Sequence, residues 1–494
     1  MKTDMKKKYS ILLTDLYQLT MAYGYWKNGL HETEAVFHLF FRKNPFGAGF
    51  SICCGLADAI EYINGFHLDA DEAEYLAQLT GNDGQPLFET AFIDYLLTMR
   101  FSCDVDAVPE GTVVFPHEPL LRAKGPILQG QLLETALLNI LNFQTLIATK
   151  AGRVCYAAGG DPVLEFGLRR AQGVDGAMAA SRAAHIGGCA ATSNVLAGMR
   201  YGIPVKGTHA HSWVMSFEEE EAAFEAYAMA MPNNCVFLVD TYNTLDGVQK
   251  AVRIGRKLRE RGYELLGIRL DSGDLAHLSI EARKILDENG FPNALIVASN
   301  DLDENIIASL KQQGAKIALW GVGTKLVTAF DQPAMGGVYK LASIRQPNGD
   351  WRHTIKLSEQ AIKVSNPGIQ QVRRFYDESG YLGDMIYNQA IPLDNDRAMI
   401  DLVETNRIYR LPEDASHEDL LVPIYEKGSL VYAAPSIKEI RGRVQLQLKG
   451  LSDRVQRFLN PHDYPVGLEP ALHQLKMTLM KKARKEDADD VEGL

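Results

Sequence analysis

At 494 residues the chain is too long for one ordinary core, so two or three domains are expected. With 46% apolar and 23% charged residues it is globular in composition, and a net charge of −11 argues against a general nucleic-acid binder. Six cysteines, none in a CxxC pair, argue against a zinc ribbon, a redox dithiol or a disulfide framework and suit a reducing cytoplasm.

The N-terminus, MKTDMKKKYS, is basic, but no long apolar core follows. ILLTDLYQLTMAYGYW is broken by Thr14, Asp15 and Gln18, so neither a signal peptide nor a membrane span is expected. Residues 10–30 read as an amphipathic helix capped by Thr14. Residues 35–56 read as one or two strands around a Pro/Gly turn, and 68–99 as helices. The proline-punctuated segment 110–127 reads as a small β unit. Dense helical periodicity over 131–152, closing on glycine, predicts a long and mostly buried helix.

From about 160 the pattern changes. Short apolar runs recur: PVLEFG, IPVKG, CVFLVD, LLGIRLD, ALIVAS and KIALWGVG. Helical patterns separate most of them, and three of the four best-defined end in glycine. Strands alternating with helices imply parallel βα units, as a barrel of fewer than eight strands or an open sheet. A looser β region from VYKLASI to about 425 follows, with the possibility of rejoining the N-terminal part. Residues 437–459 read as helix, and the charged tail as unstructured at its end. The expected domains are 1–150 completed by 335–425, a catalytic domain over 151–334, and a helical extension over 426–494.

Every strand of the middle region finishes in polar groups, which is how a parallel α/β barrel presents a site. The ends supply Phe166, Arg169 and Arg170; His209 and His211 in GTHAHSW; Asp240 and Tyr242; Arg269, Asp271 and Asp274; Ser299, Asn300 and Asp301; and Gly321, Gly323 and Thr324. Asp301 and Asp303 read as helix caps, whereas Asp240 and Asp271 precede Tyr-Asn and Ser-Gly, where a cap need not be aspartate. Arginines bind carboxylate or phosphate in a fork, paired aspartates bind vicinal hydroxyls or a hydrated magnesium ion, and a glycine-rich helix start holds a phosphomonoester. An imidazole serves as base, nucleophile or ligand near neutrality. With a strand-end aromatic to stack on a flat ring, the set suits a phosphosugar joined to a heterocycle. Another reading is a metal-dependent barrel hydrolase ligated by His209, His211 and Asp240 or Asp271.

The strings LLTDLYQLTMA, EFGLRRAQGVDGAMAASRAAHIGG, TSNVLAGMRYGIPVKGTHAHSWVMSF, VDTYNTLDGV, RLDSGDL and WGVGTKLVTA closely resemble the nicotinate phosphoribosyltransferase family, from about residue 9 to beyond 370. The resemblance implies an α/β fold: an irregular, incomplete α/β barrel beside a discontinuous N-terminal α/β domain, with C-terminal helices. It implies condensation of nicotinate with 5-phosphoribosyl-1-pyrophosphate, coupled to ATP hydrolysis and requiring Mg2+, in NAD salvage. His211 would be a phosphohistidine with Asp240 behind it. Phe166 would stack on the pyridine and Arg169 would contact anionic groups. Asp271 would bind the ribose hydroxyls, with Arg269 beside it; Gly323 and Thr324, helped by Asn300, would hold the 5′-phosphate. Asp15 and Tyr17 would arrive from a neighbouring subunit, making a homodimer with interfacial sites. Nicotinamide-specific relatives carry Asp after the Thr of ATSNV, where this chain has Ser193; a hydroxyl can donate to nicotinate's carboxylate. A phosphoribosyltransferase for nicotinamide or quinolinate is the nearest alternative. No protein metal ligand is assigned, and no nucleic-acid or membrane partner is expected.

Overall fold

The computed structural model describes residues 9–358, 364–393 and 397–491. The chain is mixed α/β and divides into two units. The first holds residues 1–145, 334–436 and 445–494, and the second 146–333 and 437–444. Among the described residues no helix is long and apolar enough to cross a membrane.

In the first unit, strand Glu34–Phe41 is almost wholly buried, as its apolar run AVFHLFF dictates. It pairs antiparallel with Gly337–Arg345 on one side and Leu121–Pro126 on the other, so distant chain completes a seven-stranded sheet. Its first helix, Leu16–Lys27, starts one residue later than expected: Asp15, not Thr14, is the N-cap residue, in extended conformation. The long helix overruns its predicted end. It spans Glu134–Ala158, with Gly152 buried inside it, and stops at Gly159 and Gly160, both at positive φ.

A second, six-stranded sheet contains Gln370–Asp377 and Gly380–Asn388. The region expected to be a purely helical extension also supplies a strand, Val466–Leu468, which runs parallel to Gly380–Asn388. The helix predicted over 437–459 breaks into Ile437–Lys449 and Asp453–Gln456. Gly450 marks the break: a Cβ there would come within 2.7 Å of the Tyr381 ring. The last helix runs to Val491, and residues 492–494 of the charged tail lie outside the described residues.

This sheet is pinned by a buried ion pair. The Arg374 guanidinium donates from Nε to Asp384 Oδ1 at 2.9 Å, and from Nη1 to Gln447 Oε1 at 2.9 Å. Tyr464 donates to the same carboxylate at 2.9 Å, and neither Arg374 nor Asp384 has any exposed side chain. Glu118 lies beside them; burial first, then the Asp384 charge, push its carboxyl well above the usual range.

The second unit is built on a six-stranded parallel sheet, in the order Ala191–Thr192, Val163–Glu165, Leu319–Val322, Leu295–Ala298, Gly267–Leu270, Val236–Leu238. The IPVKG run, predicted as a strand, makes only a bridge between Thr192 and Val205. The unforeseen two-residue strand Ala191–Thr192 takes its place in the sheet. No strand pair among the described residues closes the sheet into a barrel. One side chain spans the gap instead. The segment around Val205 bonds to Thr192 on one edge, and His209, just beyond it, accepts the Leu238 N–H on the opposite edge through Nε2 at 3.3 Å. Burial pushes the His209 pKa down to about 4, so the ring is the neutral acceptor this bond requires.

Candidate active site

The site lies at the carboxyl ends of the second unit's strands, where helix N-termini and polar turns replace the ladder. Strand Val163–Glu165 ends in a fully buried carboxylate. Glu165 accepts from the Gly167 N–H, from Ser181 Oγ at 2.8 Å and from Thr192 Oγ1 at 2.6 Å. These bonds lock the turn that carries Phe166. The ring lies against Gly321 of the neighbouring strand, where a Cβ would come within 2.7 Å of it. The Arg269 guanidinium sits 5.7 Å from the ring centroid, a cation–π approach. Phe166, Leu168, Arg169, Ser193, Arg269 and the stretch from Gly207 to Ala210 line a cleft of about 270 Å³. Phe166, Arg169, Ser193 and Arg269, four of the residues expected to bind substrate, therefore line one cavity. Gly321→Ala should displace the Phe166 ring. A misplacement of ~1 Å can cost roughly a hundredfold, so kcat/KM should fall by up to about that factor while the unfolding transition stays cooperative.

The imidazole and the two aspartates form the second cluster. His211 opens the short helix His211–Met215. Its Nδ1 lies 3.1 Å from Thr241 Oγ1. Its Nε2 faces Asp240 Oδ1 at 4.0 Å and Asp271 Oδ2 at 3.8 Å, beyond hydrogen-bond range. The Asp240 side chain is 1% exposed. Its Oδ2 accepts from the Asp271 N–H at 2.8 Å and from Ser272 Oγ at 2.7 Å, whereas Oδ1 is buried without a hydrogen-bond partner among the described residues. An unsatisfied buried carboxylate oxygen is costly, and this one lies 4.0 Å from His211 Nε2. Asp271 is held from behind: Arg269 Nη2 donates to its Oδ1 at 3.0 Å and Ser299 Oγ donates to the same oxygen. Arg269 also donates from Nη1 to Thr208 Oγ1 at 3.1 Å and from Nε to Ser299 Oγ at 2.8 Å. His209 takes no part in this cluster, because its Nε2 is spent on the Leu238 N–H.

Asn300, Gly323 and Thr324 lie at the ends of the adjacent strands Leu295–Ala298 and Leu319–Val322. Asn300 adopts φ +85°, a left-handed conformation that asparagine tolerates better than most residues. Gly323 caps Thr324–Val327, and a Cβ there would approach the Phe166 carbonyl oxygen to 3.0 Å. That helix is a single turn, too short to build a sizeable macrodipole. Lys325 bonds Asp303 Oδ2 at 2.6 Å. Asp303, without Asp301, caps Glu304–Gln312, and Asp274 caps Leu275–Glu288 by accepting from His277 N–H. Asp15 and Tyr17 belong to the first unit; Asp15 accepts from Thr135 Oγ1 at 3.0 Å, and Tyr17 is half exposed.

Glu165, Thr208, Thr241 and Ser272 were missed from the sequence. Glu165 looks like strand interior, and the others look like loop hydroxyls; only their adjacency to the charged strand ends could have flagged them. Among the described residues no group of three or more His, Cys, Asp and Glu side chains is placed to hold a metal ion.

Family models match almost the whole chain. The nicotinate phosphoribosyltransferase (NAPRTase) family model covers residues 162–362, its N-terminal domain model 12–142 and its C-terminal domain model 369–476. The chain is 44% identical to a nicotinate phosphoribosyltransferase of Bacillus subtilis over 97% of both chains. It is 35% identical to the human nicotinate phosphoribosyltransferase, covering 95% of this chain and 96% of that one. The crystal structure of human nicotinic acid phosphoribosyltransferase superposes with a TM-score of 0.82 at 32% identity, covering 94% of this chain and 99% of that one. With this fold, these strand ends and these relatives, the chain belongs to the nicotinate phosphoribosyltransferase family.

Proposed function

We propose that the chain joins nicotinate to 5-phosphoribosyl-1-pyrophosphate, giving nicotinate mononucleotide and pyrophosphate, and couples this to ATP hydrolysis through a phosphohistidine at His211. The carrying observation is the His211 ring, one nitrogen beside a hydroxyl and the other facing two carboxylates next to a ring-sized cleft. The names of the relatives support the substrates, and the strand-end chemistry supports the roles. The unclosed sheet, its edges linked by the Thr192–Val205 bridge and His209, supports an irregular, incomplete barrel.

In this reading Phe166 stacks on the pyridine, and Arg169 and Ser193 meet its carboxylate. Asp271, held by Arg269 and Ser299, accepts from the ribose hydroxyls. Free N–H groups at Thr324, with Asn300, take the 5′-phosphate. The pyridine nitrogen attacks C1′ with its lone pair as the C1′–O bond to pyrophosphate breaks, so no base is required and catalysis is positioning and charge stabilisation. On His211, Nε2 keeps its proton toward the carboxylates, whose charge repels an incoming phosphoryl group. Nδ1 is then the nucleophile toward the terminal phosphorus of ATP, and ADP leaves. Asp271 and Asp240 suit a magnesium ion brought by the pyrophosphate moiety, since such ions use one or two carboxylates plus substrate phosphates. Bound there, it would neutralise leaving-group charge. A homodimer with Asp15 and Tyr17 from the neighbouring subunit, and a cytoplasmic setting, complete the reading. A zinc hydrolase is disfavoured because His209 is engaged with backbone.

The test is direct. Purified protein with magnesium and the phosphoribosyl donor should consume nicotinate, and ATP should raise the yield. Turnover of nicotinamide or quinolinate in its place would overturn the substrate. Ser193→Asp should oppose the nicotinate carboxylate with a like charge; at about 3 kcal/mol, that is roughly a hundredfold loss in nicotinate kcat/KM.

A further inference from the structure

The sequence offered no CxxC pair, and all six cysteines are free thiols. Folding nevertheless brings two of them together in the second unit. Cys155 sits near the end of helix Glu134–Ala158 and is partly exposed. Cys189 follows helix Gly173–Gly187 and is fully buried. The two helices touch backbone to side chain: a Cβ on Gly187 would come within 2.3 Å of the Ala148 carbonyl oxygen and 2.7 Å of the Ala151 Cβ. At the next residue, a Cβ on Gly188 would lie 3.0 Å from Cys155 Sγ and 3.2 Å from its Cβ. Gly188 adopts φ +131°, which turns the chain so that the next residue faces the same helix. Cys189, directly after Gly188, is thereby brought beside Cys155, whose thiol is the largest influence on its own.

A guanidinium borders the pair. Arg441 Nη2 donates to the Gly188 carbonyl oxygen at 2.7 Å. Its Nε is buried without a hydrogen-bond partner among the described residues, and its charge acts on Cys189. That charge pulls the Cys189 thiol down, but it is the smallest of the influences acting there. The Cys155 thiol, with burial, holds the Cys189 thiol itself well above its usual range, which leaves the more exposed Cys155 as the sulfur that a small oxidant meets first.

We propose that Cys155 and Cys189 are a peroxide-responsive dithiol that closes to an intramolecular disulfide. The Cys155 thiolate attacks one oxygen of hydrogen peroxide; the O–O bond breaks, the departing hydroxide is protonated to water, and the sulfur becomes a sulfenic acid. The Cys189 sulfur then attacks the Cys155 sulfur; the S–O bond breaks, and the leaving hydroxide takes the Cys189 proton as a second water. Two thiols and one peroxide give one disulfide and two waters, with two electrons passing from sulfur to oxygen. The bridge would tie the long helix to the segment that runs through Ala191–Thr192 to Ser193 on the cleft.

The full chain is treated with hydrogen peroxide, free thiols are alkylated, and the protein is digested without reductant for mass spectrometry. The expected result is a linked peptide pair, two hydrogens lighter than the sum, joining Cys155 to Cys189 and released by dithiothreitol. Cys155→Ser should abolish the pair, as should Cys189→Ala. Wild-type protein whose Cys155 is instead over-oxidised to sulfinic acid, or stays fully alkylatable, with no linked pair, overturns the proposal without recourse to any variant.

Discussion

His211→Ala should abolish the acid-labile, base-stable label that the wild-type protein takes from terminally labelled ATP. The loss should be complete, because among the described residues no other imidazole faces two carboxylates in this way: His209 is neutral and engaged with backbone, whereas His211 presents a partly exposed ring to both. Nicotinate mononucleotide should still form without ATP, since attack on C1′ uses the pyridine lone pair and needs nothing from the ring. Yield in the presence of ATP should fall to the ATP-independent level. The wild-type phosphorus resonance should report substitution at Nδ1. A variant that keeps both its label and its ATP stimulation would place the phosphoryl carrier elsewhere.

Arg374→Met should destabilise the first unit by about 3–5 kcal/mol, the cost of leaving one buried partner of an ion pair alone. Asp384 would keep the Tyr464 hydroxyl at 2.9 Å but lose the guanidinium that neutralises it. Methionine keeps much of the packing against the Phe115 and Tyr381 rings, which lie 5.6 and 4.8 Å from the guanidinium carbon, so the loss reports charge and not a cavity. A urea titration followed by hydrogen exchange in Gln370–Asp377 would measure it. Glu118→Gln should behave differently. Burial and the Asp384 charge favour the neutral form of the native carboxyl, which the amide mimics. A carboxyl whose folded pKa lies above its unfolded value adds stability below the unfolded value and loses it as pH rises through the folded one. The variant should therefore gain on the wild type as pH is raised above the ordinary carboxylate range.

The sequence was most legible where chemistry and periodicity coincide. Each parallel strand is a short apolar run ending in a charged or small residue, so Asp240, Arg269, Asp271, Asn300 and Gly323 stand out, and the structure puts them at strand ends. Elements of two or three residues were opaque. Ala191–Thr192 has no period to detect, and IPVKG has the composition of a strand but finds an edge partner only at Val205. The Cys155–Cys189 approach depends on helix packing around Gly187 and Gly188, which no local pattern reveals. Nor could spacing foretell that His209 and His211, two positions apart, point to different tasks. The first is buried among Phe224, Tyr227 and Phe237, and only the second reaches the carboxylates.

A hoop made wholly of backbone stretches evenly; one fastened by a single clasp gives way at the clasp. The His209 imidazole is such a clasp between the outermost strands of the six-stranded parallel sheet. Lateral breathing of the pocket should concentrate at that seam, on the side where Ser193 and His211 stand, while the opposite wall around Asn300 and Gly323 stays taut.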